Sequence, residues 1–265
     1  MDELKNKVES LFNDGVIAGF LGMKQMTGHA FPFLFTSSSD LGGLTVGEGR
    51  YPMSKITLRI ALRHPERQLG VMVRGCDERA LLELFRNRQL NPARIIPVGI
   101  ACSAGQGLAC RCPRPYPSQF VLGEARERAG DLSDIRAIEA LTLEERFSFW
   151  SAQLGKCIKC YGCRNICPMC FCSSCTLQDA PLVAQGEIPA PVPSFHLARA
   201  FHMAGRCIDC GLCEEGCPVN IPLRTLYRKV IDVVRETFDY VPGEQRDTAP
   251  PLEALGDGSF ALREH

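Results

Sequence analysis

LGVMVRGCDERALLELFRNRQLNPARIIPVGIAC, residues 69–102, decides the architecture of the first half of this 265-residue chain. Leu69–Val73 is a short apolar run of the buried-strand type. Residues 77–90 repeat their apolar side chains at helical spacing (Leu81, Leu82, Leu84, Phe85), and 95–101 is a second apolar run. Strand, helix and strand at this spacing predict a βαβ unit in a parallel sheet, hence an α/β domain. Outward from it, residues 3–12 predict an amphipathic helix, 16–23 a strand, and 54–64 a helix closed by Pro65. Between the last two, Gly42, Gly43, Gly47 and Gly49 mark a loop that matches no phosphate-binding fingerprint and reads as a turn.

Downstream, residues 104–117 shift to Gly, Cys and Pro and read as irregular. Residues 132–154 predict one helix with Ile135, Ile138, Leu141, Phe147 and Trp150 in the core, and 221–238 another with Leu223, Leu226, Val230, Val233 and Val234 on one face. Pro181, Pro189, Pro191 and Pro193 mark a linker-like insertion, and the Pro/Gly-rich residues 241–265 read as an arm or tail.

Thirty basic residues balance thirty acidic ones, so no bulk field exists to hold nucleic acid or an anionic membrane. No apolar run is long enough to span a bilayer, and the first ten residues lack the apolar core of a secretory signal, so the expectation is a cytoplasmic protein. Fifteen cysteines in a reducing compartment are not a disulfide framework; most of them need metal.

Cys157-x2-Cys160-x2-Cys163-x3-Cys167-Pro168 and Cys207-x2-Cys210-x2-Cys213-x3-Cys217-Pro218 are two copies of one run. In two-cluster ferredoxins three thiolates of such a run wrap one cubane and the fourth ligates the other cluster. Applied here, cluster one takes Cys157, Cys160, Cys163 and Cys217, and cluster two takes Cys207, Cys210, Cys213 and Cys167. Gly162 and Gly211 are expected to let backbone amides approach the sulfurs. Zinc knuckles are the alternative, although four cysteines in eleven residues before a proline fit zinc poorly. Over about residues 155–222 the sequence resembles 2[4Fe-4S] ferredoxin-type domains, which implies an α+β bicluster domain with an insertion between its halves.

Seven cysteines remain. Cys170, Cys172 and Cys175 follow Cys167 directly and are either ligands of a further cluster or metal, competitors of Cys167, or redox-active thiols. Cys76 and Cys102 fall at the carboxyl ends of the two strands, with Cys110 and Cys112 in the next loop, and these four either converge on a metal or are buried strand-end thiols. Arg74, Arg79 and Arg111 flank them as anion-binding candidates or, more simply, solvated charges. His196 and His202 flank a helix before cluster two, where they either tune it or pack. No nucleophile elbow, zincin motif or acid/base pair is present, so no catalytic residue is assigned.

VRGCDERALLELFRNRQLNPARIIPVGIACSAG, residues 73–105, is similar to the strand, Cys turn, helix, strand, Cys pattern near the N-terminus of coenzyme F420-reducing hydrogenase and dehydrogenase β subunits. That resemblance implies ferredoxin-type clusters beside a flavin-binding α/β region, with FAD as a candidate cofactor. The ferredoxin motifs here follow the α/β region and the family's long C-terminal flavin portion has no counterpart. The layout is therefore more like the small iron-sulfur subunits of heterodisulfide-reductase-like or formate dehydrogenase complexes of anaerobes. The expected division is an α/β domain with four cysteines at 1–130, a ferredoxin-like 2[4Fe-4S] domain at 131–240 and a tail at 241–265. The expected function is an electron-transfer subunit that works with other subunits of a redox complex. A flavin-dependent F420 or NAD(P)H oxidoreductase subunit and a zinc-stabilised assembly module are the alternatives.

Overall fold

The computed structural model describes residues 1–126, 131–178, 194–244 and 250–251. The chain begins with α1 (Asp2–Asn13), which buries Leu4, Val8 and Leu11 along one stripe. Strand β1 (Gly19–Met26) turns back into β2 (His29–Phe35) through Thr27 and Gly28, whose φ angles of 48° and 82° are those of the tight hairpin turn that matches strand twist. Pro32 is tolerated within β2 because that strand lies at the sheet edge.

On the other side of β1, β4 (Leu69–Val73) pairs parallel over Gly19 to Leu21, and β3 (Leu44–Thr45) pairs antiparallel at Met23 and Lys24. Strand β5 (Ile95–Gly99) pairs parallel with β4 along its whole length. The expected βαβ unit is therefore present, with α3 (Gly75–Arg86) as its crossover. The sheet is mixed and not purely parallel, because the hairpin strand β2 and the short β3 run antiparallel to β1. Helix α2 (Met53–Arg63) connects β3 to β4.

Residues 113–122 lie across the carboxyl ends of β4 and β5. Val121 N–H donates to the Gly99 carbonyl (2.9 Å) and Cys102 N–H to that of Pro115 (2.8 Å). A Cβ at Gly75 would sit 2.5 Å from the Arg114 carbonyl oxygen, so the close crossing requires glycine there. The stretch expected to be irregular contains α4 (Ala104–Ala109). Ser103 Oγ accepts from Gln106 N–H (3.2 Å) and Gln106 Oε1 accepts from Ser103 N–H (3.0 Å), a reciprocal cap that starts a short helix despite two glycines.

The second half, among the described residues, is helices and turns with no strand, where an α+β domain was expected: α5 (Ser133–Glu139), α6 (Leu143–Leu154), α7 (Gly162–Asn165), α8 (Ser194–His202), α9 (Leu212–Glu215) and α10 (Leu223–Phe238). The single helix expected over 132–154 is two, because Thr142 and Glu145 cap a new start (Glu145 N–H to Thr142 Oγ1, 3.2 Å). Of its expected core, Ile135 is buried, whereas Phe147 is 69% exposed. The buried face of α10 carries Arg224, Tyr227 and Arg228 beside Leu223 and Val234, and Val233 faces solvent.

The start of the tail is tied down. Buried Glu83 of α3 accepts from the Tyr240 hydroxyl (2.9 Å) and Gly243 N–H (2.7 Å), with Arg86 at 2.5 Å. The proline-rich insertion around Pro181 to Pro193 and the tail beyond residue 251 lie outside the described residues.

Candidate metal centres

The two cysteine runs fold alike. Lys159 and Tyr161 in the first, and Asp209 and Gly211 in the second, all take left-handed φ (53°, 57°, 54°, 77°), so each loop coils back on itself between its cysteines. The coil turns amides toward sulfur. Lys159 N–H lies 3.3 Å from Cys157 Sγ and Gly162 N–H 3.4 Å from Cys160 Sγ, and the amides of Asp209 and Leu212 donate likewise to Cys207 and Cys210. The expected roles of the two glycines differ in detail. Gly211 supplies a left-handed residue; in the first run Tyr161 takes that conformation, its hydroxyl anchored on the Leu177 carbonyl (2.9 Å). Gly162 eases a close approach, since a Cβ would meet the Gly216 carbonyl oxygen at 3.2 Å where α7 packs on α9.

The fourth cysteine of each run lies near thiols of the other. Cys167, Cys207, Cys210 and Cys213 line one cavity together with Arg199 and Tyr227. Cys160 and Cys217 are both electrostatic neighbours of Cys157, and Cys157, Cys160 and Cys167 of Cys163. Cys217 Sγ accepts from Ile221 N–H (3.5 Å). Cys160 is exposed, while Cys157, Cys163, Cys213 and Cys217 are buried.

Cys76, at the start of α3, and Cys102, just beyond β5, meet Cys110 and Cys112, at the end of α4, around a second cavity that also reaches Cys210. Burial pushes the Cys76 thiol up to about 12 and the Cys102 thiol to about 11. Neither would ionise near neutral pH unaided; a bound metal cation would supply the missing positive charge. Among the described residues no three His, Cys, Asp or Glu side chains are gathered so as to hold a single metal ion.

Buried and half-buried cations surround these thiols. Arg79 is 5% exposed and not the solvated charge expected; it reaches Arg114 O (3.2 Å), Ile208 O (3.4 Å) and Cys112 Sγ (3.8 Å). Arg50 joins Glu215 (2.6 Å) to the Cys210 carbonyl, and Arg224 joins Asp209 (2.6 Å) to the Cys110 carbonyl. All three stitch the N-terminal cysteine group to the second run. Arg74 instead donates to the carbonyls of Val46, Gly47 and Gly49, closing the glycine loop, and the partly exposed Arg111 pairs with Asp134 and Glu214. Sequence inspection had no means to find Arg50 or Arg224, which lie far from the cysteines they serve. Buried guanidinium groups around converging thiols fit an anionic, sulfur-ligated group.

Cys170, Cys172 and Cys175 do not converge. Cys170 hydrogen-bonds Cys167 and faces Arg199 (3.9 Å), Cys172 is exposed, and Cys175 packs against Leu177 and Phe195. His196 is buried with neither ring nitrogen hydrogen-bonded, and His202 is exposed. Burial, with Arg199 adding to it, pushes the His196 imidazole down to about 4.

No family model matches the chain. Curated proteins do. It is 40% identical over 103 residues to the F420-dependent formate dehydrogenase subunit beta of Methanocaldococcus jannaschii, and 45% identical over 115 residues to the F420-dependent formate dehydrogenase 1 subunit beta of Methanococcus maripaludis. These matches take in 39% and 43% of this chain but only 27% and 28% of those proteins, so the chain spans little more than a quarter of their length. The sulfhydrogenase 2 subunit beta of Pyrococcus furiosus is 28% identical over 114 residues, 33% of this chain and 33% of that protein. The converging cysteines thus sit in a chain that resembles the β subunits of F420-dependent formate dehydrogenases and of hydrogenases.

Proposed function

We propose that this chain is an iron-sulfur electron-transfer subunit of a multi-subunit oxidoreductase, with [4Fe-4S] clusters on Cys157, Cys160, Cys163 and Cys217 and on Cys207, Cys210, Cys213 and Cys167. The observation that carries the reading is the cavity in which Cys167 joins the three thiols of a run forty residues away. Cys76, Cys102, Cys110 and Cys112 form a third site. It adjoins cluster two, because Cys210 lines both cavities. The order of relay is then third site, cluster two, cluster one, ending at the exposed Cys160. Bound clusters supply one-electron chemistry; the chain's residues hold them, donate amides to their sulfurs and surround them with buried cations. No acid or base is needed, and electrons enter and leave through other proteins. The names of the similar proteins, all subunits, favour such an assembly. No helix among the described residues is long and apolar enough to cross a membrane.

A second reading is favoured by one feature: Cys102 also lines a cavity of about 520 Å³ at the carboxyl end of β5, large enough for part of an organic redox cofactor such as a flavin. Iron, sulfide, zinc and flavin analysis of anaerobically purified protein separates the readings. Roughly eight iron and eight sulfide per chain are expected from the two ferredoxin-type cubanes, four for each, and about twelve where the third site also holds a cubane. Stoichiometric zinc with no sulfide would refute the relay, and bound flavin would promote the flavoenzyme.

A further inference from the structure

We propose that Arg199 sets the reduction potentials of the two ferredoxin-type clusters, as a fixed positive charge placed between them. The inference rests on the reading that the eight cysteines hold two clusters. Arg199 stands on α8 and is 2% exposed. Its guanidinium donates to the Tyr227 hydroxyl and to the Cys163 carbonyl (2.7 Å), lies 3.9 Å from Cys170 Sγ, and leaves Nε without a partner. It lines the cavity of Cys167, Cys207, Cys210 and Cys213 while bonding a residue of the other run, so it touches both sites.

Its counter-charge sets it apart from the neighbouring arginines other than Arg79, which likewise bonds only carbonyls and a thiol, Cys112, but bonds no residue of the first run and does not line that cavity. Arg50 is paired with Glu215, Arg224 with Asp209, and Arg228 with Asp134 and Asp209. Among the described residues Arg199 has no carboxylate. The groups that act on its charge are Tyr227, Cys167, Cys163 and Cys170, and its own charge is felt at Cys213. A guanidinium does not shed its proton, and burial without an anion is costly. The anion available is the thiolate-ligated metal group on either side.

Reduction of a cubane by a one-electron donor adds one negative charge and, in this reading, no proton. A buried cation that solvent cannot screen stabilises that added charge, so it raises the potential of both clusters. Arg199 is a positioning charge; it transfers nothing itself.

The test is an anaerobic redox titration followed by electron paramagnetic resonance, with dithionite as reductant, on the full chain loaded with iron and sulfide. In Arg199→Gln, iron and sulfide stay at the unsubstituted level, while the reduced-to-oxidised ratio of both clusters at a fixed ambient potential falls about tenfold or more. Each tenfold is about 59 mV for one electron. Arg199→Lys, which keeps the charge, stays within about threefold of the unsubstituted protein. Unchanged midpoints in an iron-replete Arg199→Gln protein would overturn the proposal. If Arg199→Gln loses iron and Arg199→Lys retains it, the charge serves to hold the cluster and not to set its potential, which overturns the proposal. Loss of iron from both would assign Arg199 to hydrogen-bond geometry alone and overturn it. An unsubstituted chain that takes up no iron-sulfur cluster defeats the functional reading first, a result readily told apart from unmoved midpoints.

Discussion

Replacing Cys217 by alanine separates the crossed ligand assignment from a simple one in which each run holds its own cluster. Cys217 is buried and its sulfur accepts one long hydrogen bond from Ile221 N–H (3.5 Å). Removing one sulfur from a packed site costs about 1 kcal/mol of burial and cavity energy. That is small against the roughly 5–15 kcal/mol that stabilises a typical domain, so the variant stays folded. The ligand loss is complete, by contrast, and falls on the site where Cys217 is an electrostatic neighbour of Cys157. Iron should drop by about four per chain, one cubane's worth. Cys157→Ala and Cys207→Ala serve as references, each disabling one run. The spectrum of Cys217→Ala should match that of Cys157→Ala and keep the signal that Cys207→Ala lacks. A match to Cys207→Ala would refute the crossed arrangement.

Two further outcomes follow from groups outside the clusters. His196 is neutral in the fold, its pKa down at about 4 from 6.5, so the stability it contributes is fully present above about pH 6.5 and is lost as pH falls toward 4. The loss is at most about 3 kcal/mol, and in acid titrations of the loaded proteins His196→Phe should lack the destabilisation that the unsubstituted chain shows in this window; identical profiles would count against it. Ending the chain after Tyr240 removes the Gly243 N–H from buried Glu83 and should cost about 1–3 kcal/mol, seen as a fall of several degrees in Tm relative to a chain ended after Pro251, which keeps that hydrogen bond and buried Pro250.

The local chemistry of this protein is written in short stretches of its chain. Residues 69–102 specify strand, helix and strand because burial on both faces of a parallel strand demands a continuous apolar run, and β4 occupies the predicted residues Leu69–Val73. The spacing of each cysteine run specifies a coiled loop with thiols at its corners, because three cysteines two residues apart have few ways to face one centre. Capping pairs such as Ser103 with Gln106 and Thr142 with Glu145 were also legible as signatures, though glycine content and helical periodicity pointed elsewhere. Strand β2 hid behind Pro32, which is permitted only because tertiary placement puts that strand at an edge.

Tertiary structure alone decided what stands next to what. Cys76, Cys102, Cys110 and Cys112 meet because residues 113–122 fold across the strand ends, a crossing that glycine at position 75 allows. Phe147 faces solvent although its periodicity matched a core helix, because burial depends on which neighbour covers a face and not on the face itself. The charges illustrate the division most sharply. Arg50, Arg199 and Arg224 read in sequence like any other arginine, and Arg79 only as an anion-binding candidate or a solvated charge. Each is drawn to the thiols from a different element, since a Coulomb interaction in a buried site depends on separation in space and is blind to separation along the chain.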